Sequence, residues 1–357
     1  MRRVAVKIGS NVLARPDGTL DITRMSALVD QVAELHHRGF ELILVSSGAV
    51  ASGRSEIKVG KKLDPVSARQ LYSAVGQAKL INRYYELFRE HHIACGQVLT
   101  TKESFGSRGH YLNQKHCMEV MLESRVVPIV NENDTISVTE LMFTDNDELS
   151  GLIATMMDAE ALIILSNIDG IYNGDPKAPG SSVIRNVVSG KADLSEYVQT
   201  GKSSFGRGGM LTKCRIAQKV ADEGIPVMIA NGKRDRILVD LLERPDETVC
   251  TCFTPAARPV SSVKKWIAHS EGFAKGEIHI NAGAEQALTG ERATSLLLVG
   301  VTSIAGDFEK DDIVRIINER GEQVGVGCAN YGSEEARPLI GARDQKPLVH
   351  YDYLYLD

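Results

Sequence analysis

Val126-Val127-Pro128-Ile129-Val130-Asn131-Glu132-Asn133-Asp134 is the stretch whose reading decides the fold. An apolar run of strand length ends abruptly in amides and carboxylates. A short β-rich excursion follows, and then Asp145-Asn146-Asp147 leads into a helical pattern from Glu148. A strand that is apolar at successive positions belongs to a sheet covered on both faces. In an open α/β sheet, ligands collect just beyond the carboxyl ends of the strands. Asn and Asp at that edge can hold a small, charged molecule with many hydrogen-bonding groups. They are also ordinary turn formers, and the stretch alone leaves both readings open.

Working outward, the same alternation repeats. Strand patterns over residues 4–8, 41–45, 93–100, 161–165, 225–230 and 249–253 are separated by helical patterns over 23–38, 65–92, 108–123, 148–157 and 210–223, with a short helix before the last strand. In the first helix Met25, Leu28, Val29, Val32 and Leu35 share one face, and Gly39 is its stop. The expected fold is α/β: a three-layer αβα sandwich around a mostly parallel sheet. The regime changes after Phe253. Pro255 and Pro259 mark a linker, placed at 255–265 between a domain over 1–254 and a second over 266–357. The second region holds short β-like runs at 276–280, 295–299, 313–317 and 324–326 with glycine turns, the pattern of a small β-rich domain.

Composition narrows the function class. Lys plus Arg is 41 and Asp plus Glu is 46, a net charge of −5 that offers no nucleic-acid-like excess. The six cysteines are scattered, with neither zinc spacing nor a disulfide framework, so no metal ligands are assigned. No apolar run is long enough to span a membrane, and Arg2-Arg3-Val4-Ala5-Val6-Lys7 is unlike a secretion signal, so a cytoplasmic location is expected.

Several strand ends carry chemistry. Lys7 lies inside an apolar strand just before Gly9. A buried ammonium needs a partner, unless its stem lets it reach the sheet edge. Gly208-Gly209 before a helix would gather free N–H groups and the positive end of a helix dipole into an anion site. Lys213 in the first turn of that helix is at the wrong end for the dipole, which makes sense beside a bound anion; a solvent-exposed lysine is the alternative. Gly201-Lys202-Ser203 resembles the tail of a P-loop, but Glu196 stands where its first glycine belongs.

Together, Val6-Lys7-Ile8-Gly9-Ser10, Ser46-Ser47-Gly48-Ala49, 130–134, Asp145-Asn146-Asp147 and Gly208-Gly209-Met210 with Lys213 resemble, in order and spacing, the glutamate 5-kinases of the amino-acid kinase superfamily. The C-terminal region resembles the PUA domain that many of them carry. The resemblance covers nearly the whole chain and implies transfer of the ATP γ-phosphoryl to the side-chain carboxylate of L-glutamate, the first step of proline synthesis. It implies Lys7, Asp147 and Lys213 as catalytic residues, Asp147 orienting the two lysines. It implies Ser47, Gly48, Asp134 and Asn146 as glutamate-binding. Lys7, Gly9, Ser166, Asn167, Gly208, Gly209, Met210, Leu211, Thr212 and Lys213 would contact ATP, whose Mg2+ is held mainly through phosphates. Ser166-Asn167 stands where the family usually has Thr-Asp, and Arg207 and Leu211 replace small polar residues. The C-terminal region is also shorter than usual. A homo-oligomer (dimer or tetramer), inhibition by proline and a partnership with glutamyl phosphate reductase are further implications. PUA domains often bind RNA, yet residues 259–357 hold 10 basic and 15 acidic residues, so RNA binding is not expected here.

Overall fold

The computed structural model describes residues 2–60, 62–106, 108–136, 146–188, 210–256, 267, 274–290 and 294–356. The chain divides into two compact units, Met1–Lys102 with Lys115–Pro259, and Glu103–Gln114 with Val260–Asp357.

In chain order the elements as far as Thr254 are β1 (Arg3–Ile8), α1 (Ser10–Leu13), α2 (Ile22–His37), β2 (Glu41–Ser46), α3 (Ala49–Glu56), α4 (Pro65–Glu90), β3 (Cys95–Thr100), α5 (Glu103–Gly106), α6 (Arg108–Glu123), β4 (Val127–Glu132), α7 (Asn146–Met156), β5 (Ala161–Ser166), β6 (Asn186–Val188), α8 (Met210–Asp222), β7 (Val227–Asn231), α9 (Ile237–Glu243) and β8 (Thr251–Thr254). The eight strands form one sheet in the order β3-β4-β2-β1-β5-β7-β8-β6. Every neighbouring pair is parallel except β7 with β8.

Alternate strand residues feed two cores. Val4, Val6, Ile8, Leu42, Leu44 and Ile129 pack under α2, α4 and α9 on one face, with Met25, Leu28, Leu80, Phe88 and Leu238 among the buried contacts. Ala5, Leu162, Ile164, Val227 and Ile229 pack on the other face against Cys214, Ala217 and Val220 of α8. This is the expected three-layer arrangement. The helix starts are locally encoded. Asp21 caps α2 through Arg24 N, and Asp64 caps α4 through Val66 N and Ser67 N with Pro65 in the first turn. Helix α7 begins at Asn146 rather than at Glu148, which draws Asn146 and Asp147 into its first turn, where a carboxylate is favoured.

The second unit has its own sheet, in the order β10-β9-β11-β12-β13, from β9 (Gly276–Ile280), β10 (Val301–Gly306), β11 (Ile313–Ile317), β12 (Gln323–Ala329) and β13 (Val349–Leu356), with α10 (Ala282–Thr289) and α11 (Ser333–Ala336). Ile278, Ile280, Leu296, Val314, Ile316 and Val349 form its core. The strand expected over 295–299 is a single bridge from Leu296 to Val349 followed by a 3-10 turn, and pairing with β9 begins at Val301. Leu296 and Leu298 are both buried around exposed Leu297, so core burial there mimics strand alternation. The short β6 and the long β13 also went unassigned from sequence.

Candidate active site

The carboxyl ends of β1, β2, β4 and β5 gather the polar residues the sequence singled out. Lys7 is only 5% exposed, between Val6 and Ile8 in a strand whose other residues from Val4 onward are apolar and buried. Its Nζ lies 2.5 Å from Oδ1 of Asp147. Lys213 Nζ, arriving from the first turn of α8, donates to Oδ2 of the same carboxylate at 2.7 Å. Asp147 is fully buried. Burial alone would raise its carboxyl, but Lys7 and then Lys213 outweigh that and hold it below the usual carboxylate range. Two ammonium groups on one carboxylate leave one positive charge in excess among these three groups. Such a centre suits an anion.

Backbone approaches this centre closely. A Cβ on Gly9 would lie 3.0 Å from the Leu165 carbonyl oxygen and 3.7 Å from Lys7 Nζ, and Gly9 N donates to that same oxygen. Gly48 has φ +117°, a left-handed conformation that glycine adopts without strain, and it caps α3 just after Ser47.

A second cluster sits at the ends of β2 and β4. Asn146 Nδ2 donates to Ser47 Oγ at 2.9 Å and to Asn131 Oδ1 at 3.0 Å. Asn131 Nδ2 donates to Gln77 Oε1 at 2.9 Å. Asp134, buried, accepts from Arg69 Nε at 2.6 Å and from Ser73 Oγ at 2.9 Å. Arg69 also donates to Glu132 at 2.6 Å. The buried carboxylates of Glu132 and Asp134 thus share one guanidinium. The residues form a polar site with two ends, joined by Asn146 beside Asp147.

On the other side of β1, Ser166 ends β5 and its backbone oxygen accepts from Gly232 N at 2.8 Å; Asn167 follows it. Met210, Leu211 and Thr212 precede Lys213 in the first turn of α8. Gly208, Gly209, Arg207 and Asp145 lie outside the described residues.

The sequence pattern of the amino acid kinase family matches residues 2–231, and that of the PUA domain matches residues 276–350. A glutamate 5-kinase of Bacteroides thetaiotaomicron is 73% identical over 355 residues, covering 99% of this chain and 98% of that protein. The chain belongs to the amino acid kinase family, among its glutamate 5-kinases. A glutamate 5-kinase of Chlorobaculum tepidum is 48% identical, with 99% and 97% covered, and one of Maridesulfovibrio salexigens is 37% identical, with 100% and 96% covered.

Within this glutamate 5-kinase fold, sequence reasoning passed over Arg69, Ser73 and Gln77. They sit four residues apart on α4 and form one polar row. That spacing was the available signal: Ser73 and Gln77 are buried in a helix whose other buried residues include Leu80, Tyr84 and Phe88. It also missed Asp169, which ties the ends of β5 and β7 together by accepting from Asn231 and, through both oxygens, from Arg234. Among the described residues no helix is long and apolar enough to cross a membrane.

Proposed function

We propose that the protein phosphorylates the side-chain carboxylate of L-glutamate with ATP, giving ADP and L-glutamyl 5-phosphate, the first step of proline biosynthesis. The observation that carries the reading is the pair of lysines, Lys7 and Lys213, on the two oxygens of buried Asp147. A glutamate carboxylate oxygen attacks the γ-phosphorus in line as the bond to the β,γ-bridging oxygen breaks, and ADP departs. The nucleophile has an ordinary pKa of about 4.3, so it is already ionised at neutral pH and no general base is required. The work left to the enzyme is positioning and neutralising charge on the transferring group. Lys7 and Lys213 flank that group, and Asp147 keeps their ammonium groups aimed at it. Mg2+ would arrive on ATP, held by phosphate oxygens and water, and would supply further neutralisation.

At the other end Ser47, Gly48, Asn146 and Asp134 hold glutamate. The carboxylate of Asp134 suits a free α-ammonium and disfavours an N-acylated substrate. Gly9, Ser166, Asn167, Gly208, Gly209 and the residues of 210–213 attend the nucleotide. The domain division at 255–265, a cytoplasmic location, a homo-oligomer, inhibition by proline and delivery of the labile acyl phosphate to a glutamyl phosphate reductase complete the reading. The PUA-like region serves an architectural or regulatory role in it.

The test is ADP release with L-glutamate against N-acetyl-L-glutamate, with and without proline, and with hydroxylamine added to trap the acyl phosphate as a hydroxamate. The expected result is glutamate-dependent release, a hydroxamate product and weak or no use of the acetylated substrate. Absence of glutamate turnover would end the reading.

A further inference from the structure

Gln77 projects from α4 into the amino-acid end of the site and is only 9% exposed. Its Oε1 accepts from Asn131 Nδ2 at 2.9 Å, but its Nε2 is buried with no hydrogen-bond partner among the described residues. An amide nitrogen buried without an acceptor is costly, and native structures rarely tolerate one without a reason.

Reversing the amide does not remove the problem, because the whole relay has a fixed direction. The backbone carbonyl of Ser46 can only accept, so the Asn146 atom 3.4 Å from it is nitrogen. That same nitrogen lies 3.0 Å from Asn131, whose facing atom must then be oxygen. Asn131 therefore turns its own nitrogen toward Gln77, and the atom receiving it is oxygen. The free end of the relay is a pair of N–H donors.

We propose that Gln77 is a further substrate contact, its Nε2 donating to the α-carboxylate of the bound amino acid. The proposal rests on the glutamate kinase reading above and adds a residue to it. Two observations choose the α-carboxylate over the reacting one. Gln77 stands two hydrogen bonds away from Asn146, which is the neighbour in sequence of Asp147 and so marks the phosphoryl end. One turn back on the same face of α4, Ser73 holds Asp134, the carboxylate assigned to the α-ammonium. Adjacent positions of one helix would then address the two charged groups on the substrate's α-carbon. A carboxylate is the fitting acceptor, since it has lone pairs only and a full negative charge.

The test compares Gln77→Leu and Gln77→Glu with the wild-type chain, using L-glutamate and its α-amide, which keeps the reacting carboxylate. Loss of a hydrogen bond to a charged group predicts a rise of about 10- to 100-fold in KM for L-glutamate in Gln77→Leu. The kcat and the KM for ATP should stay within about twofold, the pattern of lost uniform binding. Wild type should prefer L-glutamate to the α-amide, and that preference should shrink by about tenfold in Gln77→Leu. Gln77→Glu separates contact from support. One carboxylate oxygen still accepts from Asn131, while the other replaces the donors with negative charge, so KM should rise further than in the leucine variant. A wild-type KM in Gln77→Glu, or an unchanged preference for the free α-carboxylate in both variants, overturns the proposal and leaves Gln77 as a support for Asn131. Thermal stabilisation by ATP alone and by L-glutamate alone checks folding and binding without turnover; if Gln77→Leu does not fold, Gln77→Met takes its place. Wild type that releases no ADP with L-glutamate overturns the kinase reading itself, and this contact with it.

Discussion

Lys213 shows what a single charge does here. Its ammonium shares Asp147 with Lys7, yet it comes from a helix start far along the chain. In the proposed reaction the lysine is needed most as charge shifts onto the leaving ADP, which happens only in the transition state. Lys213→Ala should therefore lower kcat by about two to three orders of magnitude, the scale typical of lost electrostatic stabilisation. The KM for glutamate should change little, as steady-state kinetics at saturating ATP would show; unchanged turnover would remove Lys213 from the catalytic set. Asp147 carries a linked prediction for pH. Its folded pKa lies below the ordinary value near 3.9, because Lys7 and Lys213 outweigh the effect of burial. The unfolded chain thus takes up this proton first as the solution is acidified. The stability that the ionised carboxylate contributes is complete above about pH 3.9 and is lost as pH falls through the lower folded value. Denaturant titrations should show Asp147→Asn less stable than wild type at neutral pH, with the gap closing only on strong acidification. A gap that closes between pH 7 and 5 contradicts the depressed value.

At the scale of elements, helix α4 shapes the polar cluster at the ends of β2 and β4. Its row of Arg69, Ser73 and Gln77 holds Glu132, Asp134 and Asn131 at the end of β4, and further along Tyr84 shares a 2.7 Å hydrogen bond with Ser46 at the end of β2. The helix can approach so closely because two glycines meet where it crosses α3. A Cβ on Gly76 would fall 1.8 Å from the Ala49 carbonyl oxygen, and one on Gly53 would fall 1.9 Å from that of Tyr72. These obstacles are backbone, so the helices must separate to admit a methyl group. Gly76→Ala should destabilise the fold by about 3 kcal/mol, the upper end for overpacking. Since α3 starts at Gly48, beside Ser47, the same substitution should raise the KM for glutamate more than that for ATP. Chemical denaturation and the two KM values check both parts. Stability within 0.5 kcal/mol of wild type, the usual scatter of harmless surface changes, would contradict the crossing.

Across the whole molecule, charge is unevenly placed. Residues 259–357 carry a net charge of −5, the same as the full chain, so the rest is balanced. A phosphate-binding surface requires the opposite sign, and the intact protein should show no salt-dependent affinity for single- or double-stranded RNA at micromolar concentrations. Filter binding at low and high salt decides it; tight binding that weakens with salt overturns the expectation. The alternation of strand and helix, the position of the change after Phe253 and the order of the phosphate-end residues could all be read along the chain. Periodicity, caps and turn residues act over windows of a few residues, so the sequence states them directly. The strand expected over 295–299 failed for the same reason: alternate burial of Leu296 and Leu298 has a strand's period without a strand's pairing. Lys7 and Lys213 were each open to a bland reading until crossover connections brought both to one carboxylate. Gln77 gave less sign still, because the direction of its amide depends on a carbonyl of β2 acting through side chains of α7 and β4. The sequence by itself determined the layers and the candidate residues. Only the tertiary structure decided which charges meet and which amide donor is left without a partner among the described residues, since both are set by contacts between elements remote in the chain.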